Sequence, residues 1–379
     1  QRMSEIPLSG IREIFEKAQS ISDVIRLEFG EPDFDTPEHI KKVAYEAMKK
    51  GATKYTSSFG IHELRTAIAE KMLSENQVKC IENNVVVTTG ATSALSLAVL
   101  TAMNPGDEIL IPDPGWANYV PIARIGGAVP IGYPLLEEND FRLEPETVRK
   151  LITPKTRMIL INSPSNPTGG IIEEDDLKAV GELALKFDLI ILTDEVYEKF
   201  IYGGGKHISI ASFRNFRDQV ITVNSFSKTY AMTGWRLGYA VAPEELAEAI
   251  GRLNGSTNSC TAAMTQYAGL AALKGSQRCV TEMVETFGKR RKVIIDGLSG
   301  IEEVSCRPPK GAFYAFVNIG RTGYDSDTLA MKLLVEGHVA TVPGSAFGSR
   351  GEGFLRLAYA NSEENLKLAL SRLKQVIRN

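Results

Sequence analysis

The chain has 379 residues, of which 43% are apolar and 23% charged, with a formal net charge of −3; this fits a globular protein of about two domains. That balance excludes the basic excess of a nucleic-acid or anionic-membrane binder, and no apolar run reaches the roughly 20 residues of a membrane span. The four cysteines and four histidines are scattered without metal-ligand spacing, so no metal is expected; Gln1-Arg2-Met3-Ser4 lacks a signal-peptide core, and a cytoplasmic protein with reduced thiols is expected.

From about residue 85, short apolar runs alternate with amphipathic stretches of helical length. The run 84–89 predicts a buried strand that opens into Gly90-Ala91-Thr92-Ser93 and an Ala/Leu-rich helix over 93–102. Small residues at a helix start let backbone amides approach a phosphate, although Thr or Ser there also serves as an ordinary N-cap. The strand 108–112 leads to Asp113-Pro114-Gly115-Trp116, where the indole could stack on a flat heteroaromatic ring or simply pack. The strand 158–162 ends in Asn162-Ser163-Pro164-Ser165-Asn166-Pro167-Thr168-Gly169-Gly170. This irregular turn either offers the Asn166 amide to a ligand or only introduces the helix predicted over 173–186.

The strand 189–193 runs into Asp194-Glu195-Val196-Tyr197. A carboxylate at the end of a buried run needs a cationic partner, and a pyridinium nitrogen would serve. Tyr197 could hydrogen-bond a ring hydroxyl; the plainer readings are an N-cap for Asp194 and core packing for Tyr197.

The strand 220–223 precedes Ser225-Phe226-Ser227-Lys228-Thr229-Tyr230-Ala231-Met232-Thr233-Gly234-Trp235-Arg236, the most informative stretch of the chain. A lysine at a strand end is a Schiff-base former once burial or neighbouring cations lower its pKa. Two serine hydroxyls and an arginine suit a phosphate monoester. Aldehyde and phosphate on one small molecule point to pyridoxal phosphate. A further strand is predicted over 239–242.

These elements predict a largely parallel sheet covered by helices on both faces, with every motif at the carboxyl end of a strand. The C-terminal third changes character: a long helix over 279–298, strands over 311–317, 338–343 and 353–358, and a last helix over 361–377. Arg356 sits among strand-like apolar residues, where a buried guanidinium wants a planar anion, either a ligand carboxylate or a protein acid.

Taken together, the motifs make the chain resemble the class I/II aminotransferases, pyridoxal-phosphate enzymes of fold type I, in their prokaryotic and archaeal aspartate/aromatic branch. The resemblance runs from Glu28-Phe29-Gly30-Glu31-Pro32-Asp33-Phe34 to Phe354-Leu355-Arg356-Leu357. It implies an α/β fold with a large domain, 36–285, built on a mostly parallel seven-stranded sheet. A smaller α+β domain, 1–35 with 286–379, would close over the active site.

The resemblance further implies that Lys228 forms the Schiff base and moves the proton, Asp194 pairs with the ring nitrogen, and Asn166 and Tyr197 bond the ring oxygen. Trp116 would stack on the ring, and Ala91, Thr92, Ser225, Ser227 and Arg236 would hold the phosphate. Arg356 would grip the substrate carboxylate with Asn166, Trp116 and the backbone at Gly30. Tyr55 would reach the phosphate of a second subunit in a homodimer. The implied reaction (EC 2.6.1.-) moves an amino group between an L-amino acid, aspartate or aromatic, and 2-oxoglutarate by a ping-pong mechanism. Thr92 stands where some dicarboxylate-specific relatives carry a lysine, which leaves aromatic or mixed specificity open. A carbon–sulfur β-lyase is the rival on the same fold, whereas a nicotinamide dehydrogenase lacks a GxGxxG turn.

Overall fold

In the computed structural model residues 10–378 are described, with side chains from residue 14 onward; Gln1-Arg2-Met3-Ser4 and the rest of 1–9 lie outside them. In chain order the strands are β1 (Ile25–Arg26), β2 (Val85–Thr88), β3 (Glu108–Asp113), β4 (Val129–Pro134), β5 (Thr156–Asn162), β6 (Ile190–Asp194) and β7 (Val220–Ser225). They continue as β8 (Gly238–Val241), β9 (Ser305–Cys306), β10 (Tyr314–Asn318), β11 (Val339–Ala340), β12 (Val342–Pro343) and β13 (Phe354–Ala358).

Runs such as Val85-Val86-Val87 and Met158-Ile159-Leu160-Ile161 are apolar on both faces, as a strand covered on both sides requires. They join a seven-stranded sheet ordered β2-β8-β7-β6-β5-β3-β4. Side chains alternate between two cores. Met158 and Leu160 pack with Leu95, Ala247 and Ile250 on one face. Ile159 and Ile161 pack with Ile40, Ile68 and Leu177 on the other.

All neighbours in the sheet are parallel except around β8, which is antiparallel to β2 and to β7. That reversal matters for the site. A strand running backwards presents its N-terminal end where its neighbours present their carboxyl ends, and Gly238 pairs with both Thr88 and Ser225.

Four strands form a second sheet, β12-β13-β10-β9, and β1 pairs in parallel with β11. A third core lies around them, joining Ile14 and Leu27 to Phe287, Phe313, Leu355 and Leu370, and it takes in Val196, Tyr197 and Phe200 from the turn after β6. The last helix, Glu363–Arg378, buries Leu366, Ala369, Leu370, Leu373 and Val376, the face its spacing predicts.

Three expectations change in detail. The strand expected over 338–343 is two strands with different partners, β11 on β1 and β12 on β13. The strand expected from 311 starts at Tyr314, because Ala312 holds a left-handed φ of 56° that breaks the ladder. The edge strand β4 was not expected, since Val129-Pro130-Ile131-Gly132-Tyr133-Pro134 carries turn residues that only an edge tolerates. No helix of the described residues is long and apolar enough to cross a membrane.

Candidate active site

Along the carboxyl edge of the large sheet the turns open into a cavity of about 470 Å³. It is lined by Gly30, Ala91, Thr92, Trp116, Asn166, Asp194, Tyr197, Ser225, Ser227, Lys228, Arg236 and Arg356. These are the sequence-predicted residues with one exception. Tyr55 is 88% exposed and lies outside the lining.

Lys228 sits in the single helical turn Phe226–Thr229 that follows β7. Its Nζ donates to the Gly30 carbonyl. Desolvation lowers its pKa from 10.5 to about 8, helped by the guanidinium groups of Arg356 and Arg236 and opposed by Glu31 and Asp194. A substantial neutral fraction near pH 8 is what a nucleophilic or basic amine needs.

Asp194 ends β6, level with Asn162 at the end of β5. Asn162 Nδ2 donates to the Asp194 carbonyl at 3.0 Å, tying the two strand ends together. The Asp194 carboxylate accepts from the Tyr119 hydroxyl at 2.8 Å and from the Val196 N–H at 3.3 Å. Burial raises its pKa to about 6, against the pull of those two donors. Among the described residues no ion pair to Asp194 occurs, so a buried carboxylate faces the cavity without a cation in contact.

One end of the cavity is built for an anion. The helix Ala91–Ala102 begins there with no side chain capping it, so its first N–H groups and its dipole face the opening. Gly90 holds φ +81°, and a Cβ there would lie 2.4 Å from Arg236 Nη2; only glycine lets the guanidinium and the helix start converge. Arg236 is exposed, adopts a left-handed φ of 54°, and is anchored by Nη1 donating to the Thr233 carbonyl at 2.9 Å. It reaches this edge because β8 runs backwards. Ser225 Oγ lies 2.8 Å from Ser227 Oγ and 3.0 Å from the Leu237 carbonyl oxygen.

At the other end, Arg356 projects from β13 and is only 3% exposed. Its Nη1 donates to Asn166 Oδ1 at 3.1 Å, Nη2 donates to the Glu28 carbonyl, and Nε is buried with no partner among the described residues. The guanidinium carbon lies 4.6 Å from the Tyr314 ring centre and 5.0 Å from that of Phe347. Burial pulls its pKa below the usual arginine range. A desolvated guanidinium with an unused N–H and, among the described residues, no carboxylate in contact matches an incoming carboxylate.

Trp116 packs edge-on against Tyr119, with ring centres 5.4 Å apart, and keeps one side to the cavity. Tyr197 is buried, and its hydroxyl lies 2.6 Å from that of Tyr314. Sequence reasoning missed Tyr119, Tyr314, Phe15, Phe29 and Glu28, which also line the cavity. Tyr119 stands three residues after Trp116, across a turn closed by its N–H on the Trp116 carbonyl at 3.0 Å, and carries no periodic signal; Tyr314 carries no local signal because its partners lie far away in the chain.

The family model "Aminotransferase class I and II" matches residues 22–373. An aspartate aminotransferase of Pyrococcus abyssi is 42% identical, with the alignment covering all of this chain and 97% of that protein. An aromatic-amino-acid aminotransferase of Thermococcus litoralis is 41% identical, again over all of this chain and 97% of the relative. Among solved structures, the aspartate aminotransferase from Thermus thermophilus with maleate superposes with a TM-score of 0.95 at 36% identity, over 99% of this chain and 98% of that one.

Proposed function

The chain belongs to the class I and II aminotransferases, and from that membership we propose that it moves an α-amino group between an L-amino acid, aspartate or aromatic, and 2-oxoglutarate, with pyridoxal 5'-phosphate as cofactor. One observation carries the reading: among the described residues, a buried carboxylate without a cation, a buried guanidinium without a carboxylate, and an uncapped helix start beside Arg236 stand around the Lys228 amine. A protonated ring nitrogen, a substrate carboxylate and a phosphate would complete them in turn. The residues present therefore fit the cofactor.

Asp194 would hold the ring nitrogen protonated, with Tyr119 fixing the carboxylate. Asn166 and Tyr197 would bond the ring oxygen, and Trp116 would cover one ring face. Ala91, Thr92, Ser225, Ser227 and Arg236 would grip the phosphate. The bound cofactor supplies an aldehyde that takes up the amino group and a ring that accepts the electrons left at the α-carbon. Arg356 receives the α-carboxylate, assisted by Asn166 and the backbone at Gly30, and so sets which face of the α-carbon meets Lys228. Lys228 Nζ, neutral in part near pH 8, takes the α-proton as general base and later returns it. Both half-reactions use the one carboxylate anchor, so the second substrate can enter only after the first product leaves, and with the amino group held at the site in between the kinetics would be ping-pong.

Homodimerisation, with Tyr55 reaching the partner's phosphate, belongs to the same reading; the 88% exposure of Tyr55 supports it. The division into a large domain, 36–285, and a smaller one, 1–35 with 286–379, that closes over the site also belongs to this reading. The donor choice rests on relatives bearing both names, on Thr92 as a neutral residue at the phosphate turn, and on Phe15 and Phe29 in the lining.

The test is spectral. In the purified holoenzyme the cofactor band should bleach with glutamate and return with 2-oxoglutarate, and borohydride should fix the label in wild type but not in Lys228→Ala. A band indifferent to glutamate, or a label fixed equally in Lys228→Ala, would overturn the reading. Steady-state rates with aspartate and phenylalanine then decide the donor; turnover of only one excludes mixed specificity.

A further inference from the structure

Tyr314 stands at the start of β10, fully buried, where three parts of the site meet. Its hydroxyl lies 2.6 Å from the Tyr197 hydroxyl, and its ring lies 4.6 Å from the Arg356 guanidinium carbon. The same hydroxyl fills the place of a Gly30 side chain: a Cβ there would lie 2.5 Å from Tyr314 Oη. Gly30 does not have the left-handed φ that favours glycine, so space alone asks for glycine at this position. The sheet register explains the reach. Phe316 pairs with Arg356, and Tyr314, two residues before it, projects from the same face.

We propose that Tyr314 is a positioning residue that acts through two others: its hydroxyl donates to Tyr197 and aims that side chain at the cofactor's ring oxygen, while its ring fixes the Arg356 guanidinium for the substrate carboxylate. The proposal rests on the aminotransferase reading. If Tyr197 donates its own proton to the ring oxygen, its lone pairs are free to accept from Tyr314, and the donated bond makes Tyr197 the stronger donor. A single side chain thus couples carboxylate binding to the hydrogen bond on the cofactor. The other charged groups nearby are Arg356 from β13, Asp194 from β6 and Glu28, which faces Arg356 from the segment after β1. Lys228 faces them across the cavity, flanked by Glu31 and Arg236. All of these stay in place in the variants below.

Tyr314→Phe separates the two tasks, since it keeps the ring and loses the hydroxyl. In the holoenzyme the pH midpoint of the cofactor's absorbance should rise by about 0.5–1 unit, the equivalent of one ordinary hydrogen bond. The dissociation constants of succinate and 3-phenylpropionate, which carry the carboxylate but no amino group, should change less than about twofold. Tyr314→Leu should show the same midpoint shift and bind these acids about fivefold more weakly. In a Tyr197→Phe background, Tyr314→Phe should add no further shift.

Gly30→Ala must push the Tyr314 hydroxyl aside, so it should raise the midpoint in wild type and add nothing to Tyr314→Phe. This second route holds even if a Tyr314 variant folds poorly, which thermal melting would reveal. A wild-type midpoint in Tyr314→Phe, or an equal shift without the Tyr197 hydroxyl, overturns the proposal and leaves the aminotransferase reading standing. A wild-type protein with no titrating band removes that reading, and the proposal with it.

Discussion

The Tyr119 hydroxyl donates to Asp194 Oδ2 at 2.8 Å, the strongest support the Asp194 carboxylate finds within the chain. A neutral phenol holds the carboxylate in place without cancelling its charge. Burial therefore still raises the pKa of Asp194 to about 6, and the unmet charge is left for a cation.

For the cofactor-free protein this sets a pH dependence of stability. The folded pKa lies above the ordinary 3.8, so the stability owed to protonated Asp194 is complete below about pH 4 and is lost as pH rises through about 6. The loss is about 3 kcal/mol, from about 1.4 kcal/mol for each of roughly two units. Asp194→Asn should lack this loss, and thermal melts of both cofactor-free proteins at pH 4 and pH 7 would show it. Equal slopes would mean that the carboxylate is solvated.

Lys228 should react as an amine of pKa about 8. In the cofactor-free protein, its capture by a small aldehyde followed by borohydride should rise to half-maximum near pH 8, read by peptide mass. A midpoint near 10.5 would show an ordinary surface lysine. Lys228→Ala should lower kcat for transamination by at least about 10³-fold.

Arg356→Lys keeps the charge but loses the fork. It should raise KM for amino donor and oxo-acid acceptor alike by about 30-fold, roughly 2 kcal/mol of charge-assisted bonding. The loss should be common to every substrate, because only the shared α-carboxylate is affected. A defect confined to aspartate would instead place Arg356 against the distal carboxylate.

Gly90→Ala would strain a φ of +81° and press a methyl group against Arg236. Cofactor affinity, measured by dialysis and spectral titration, should fall by about 10-fold to 100-fold, with secondary structure unchanged by circular dichroism.

Behind the site, Glu198 is buried and accepts from Lys71 and, at 2.6 Å, from Asn76 Nδ2. Burial pushes its pKa up, but the charges of Lys71, Lys199 and His207 prevail and hold it at about 2. Its contribution to stability is complete above about pH 4.5 and is lost as pH falls towards 2. Lys71→Met should cost about 3–5 kcal/mol in chemical denaturation, because the partner charge stays buried, and Lys71→Met with Glu198→Gln should recover part of it. Glu195, Glu198 and His207 bring ligand-type atoms within 4.8 Å of one another, yet Lys71 already supplies the cation there.

The alternation of strands and helices, and the placing of Gly90, Asn166, Asp194 and Lys228 at strand ends, were legible because each depends on local pattern. Tyr119 on Asp194, Tyr314 on Tyr197 and Lys71 on Glu198 were not, since each joins residues 75 or more positions apart and leaves no periodicity behind. The small sheet was only partly legible for a similar reason. Whether 338–343 is one strand or two depends on partners drawn from residues 25–26 and 354–358.

The reversed strand β8 has a consequence for how the protein assembles. It is the last strand of the large sheet to be synthesised, yet it must insert between β2 and β7, which precede it. Until it does, Arg236 cannot meet Gly90, and the phosphate end of the cavity is open. If a phosphorylated cofactor is held there, the ability to retain it should therefore mature with the closing of a single seam. During refolding, ligand retention should mark the moment when the sheet becomes continuous.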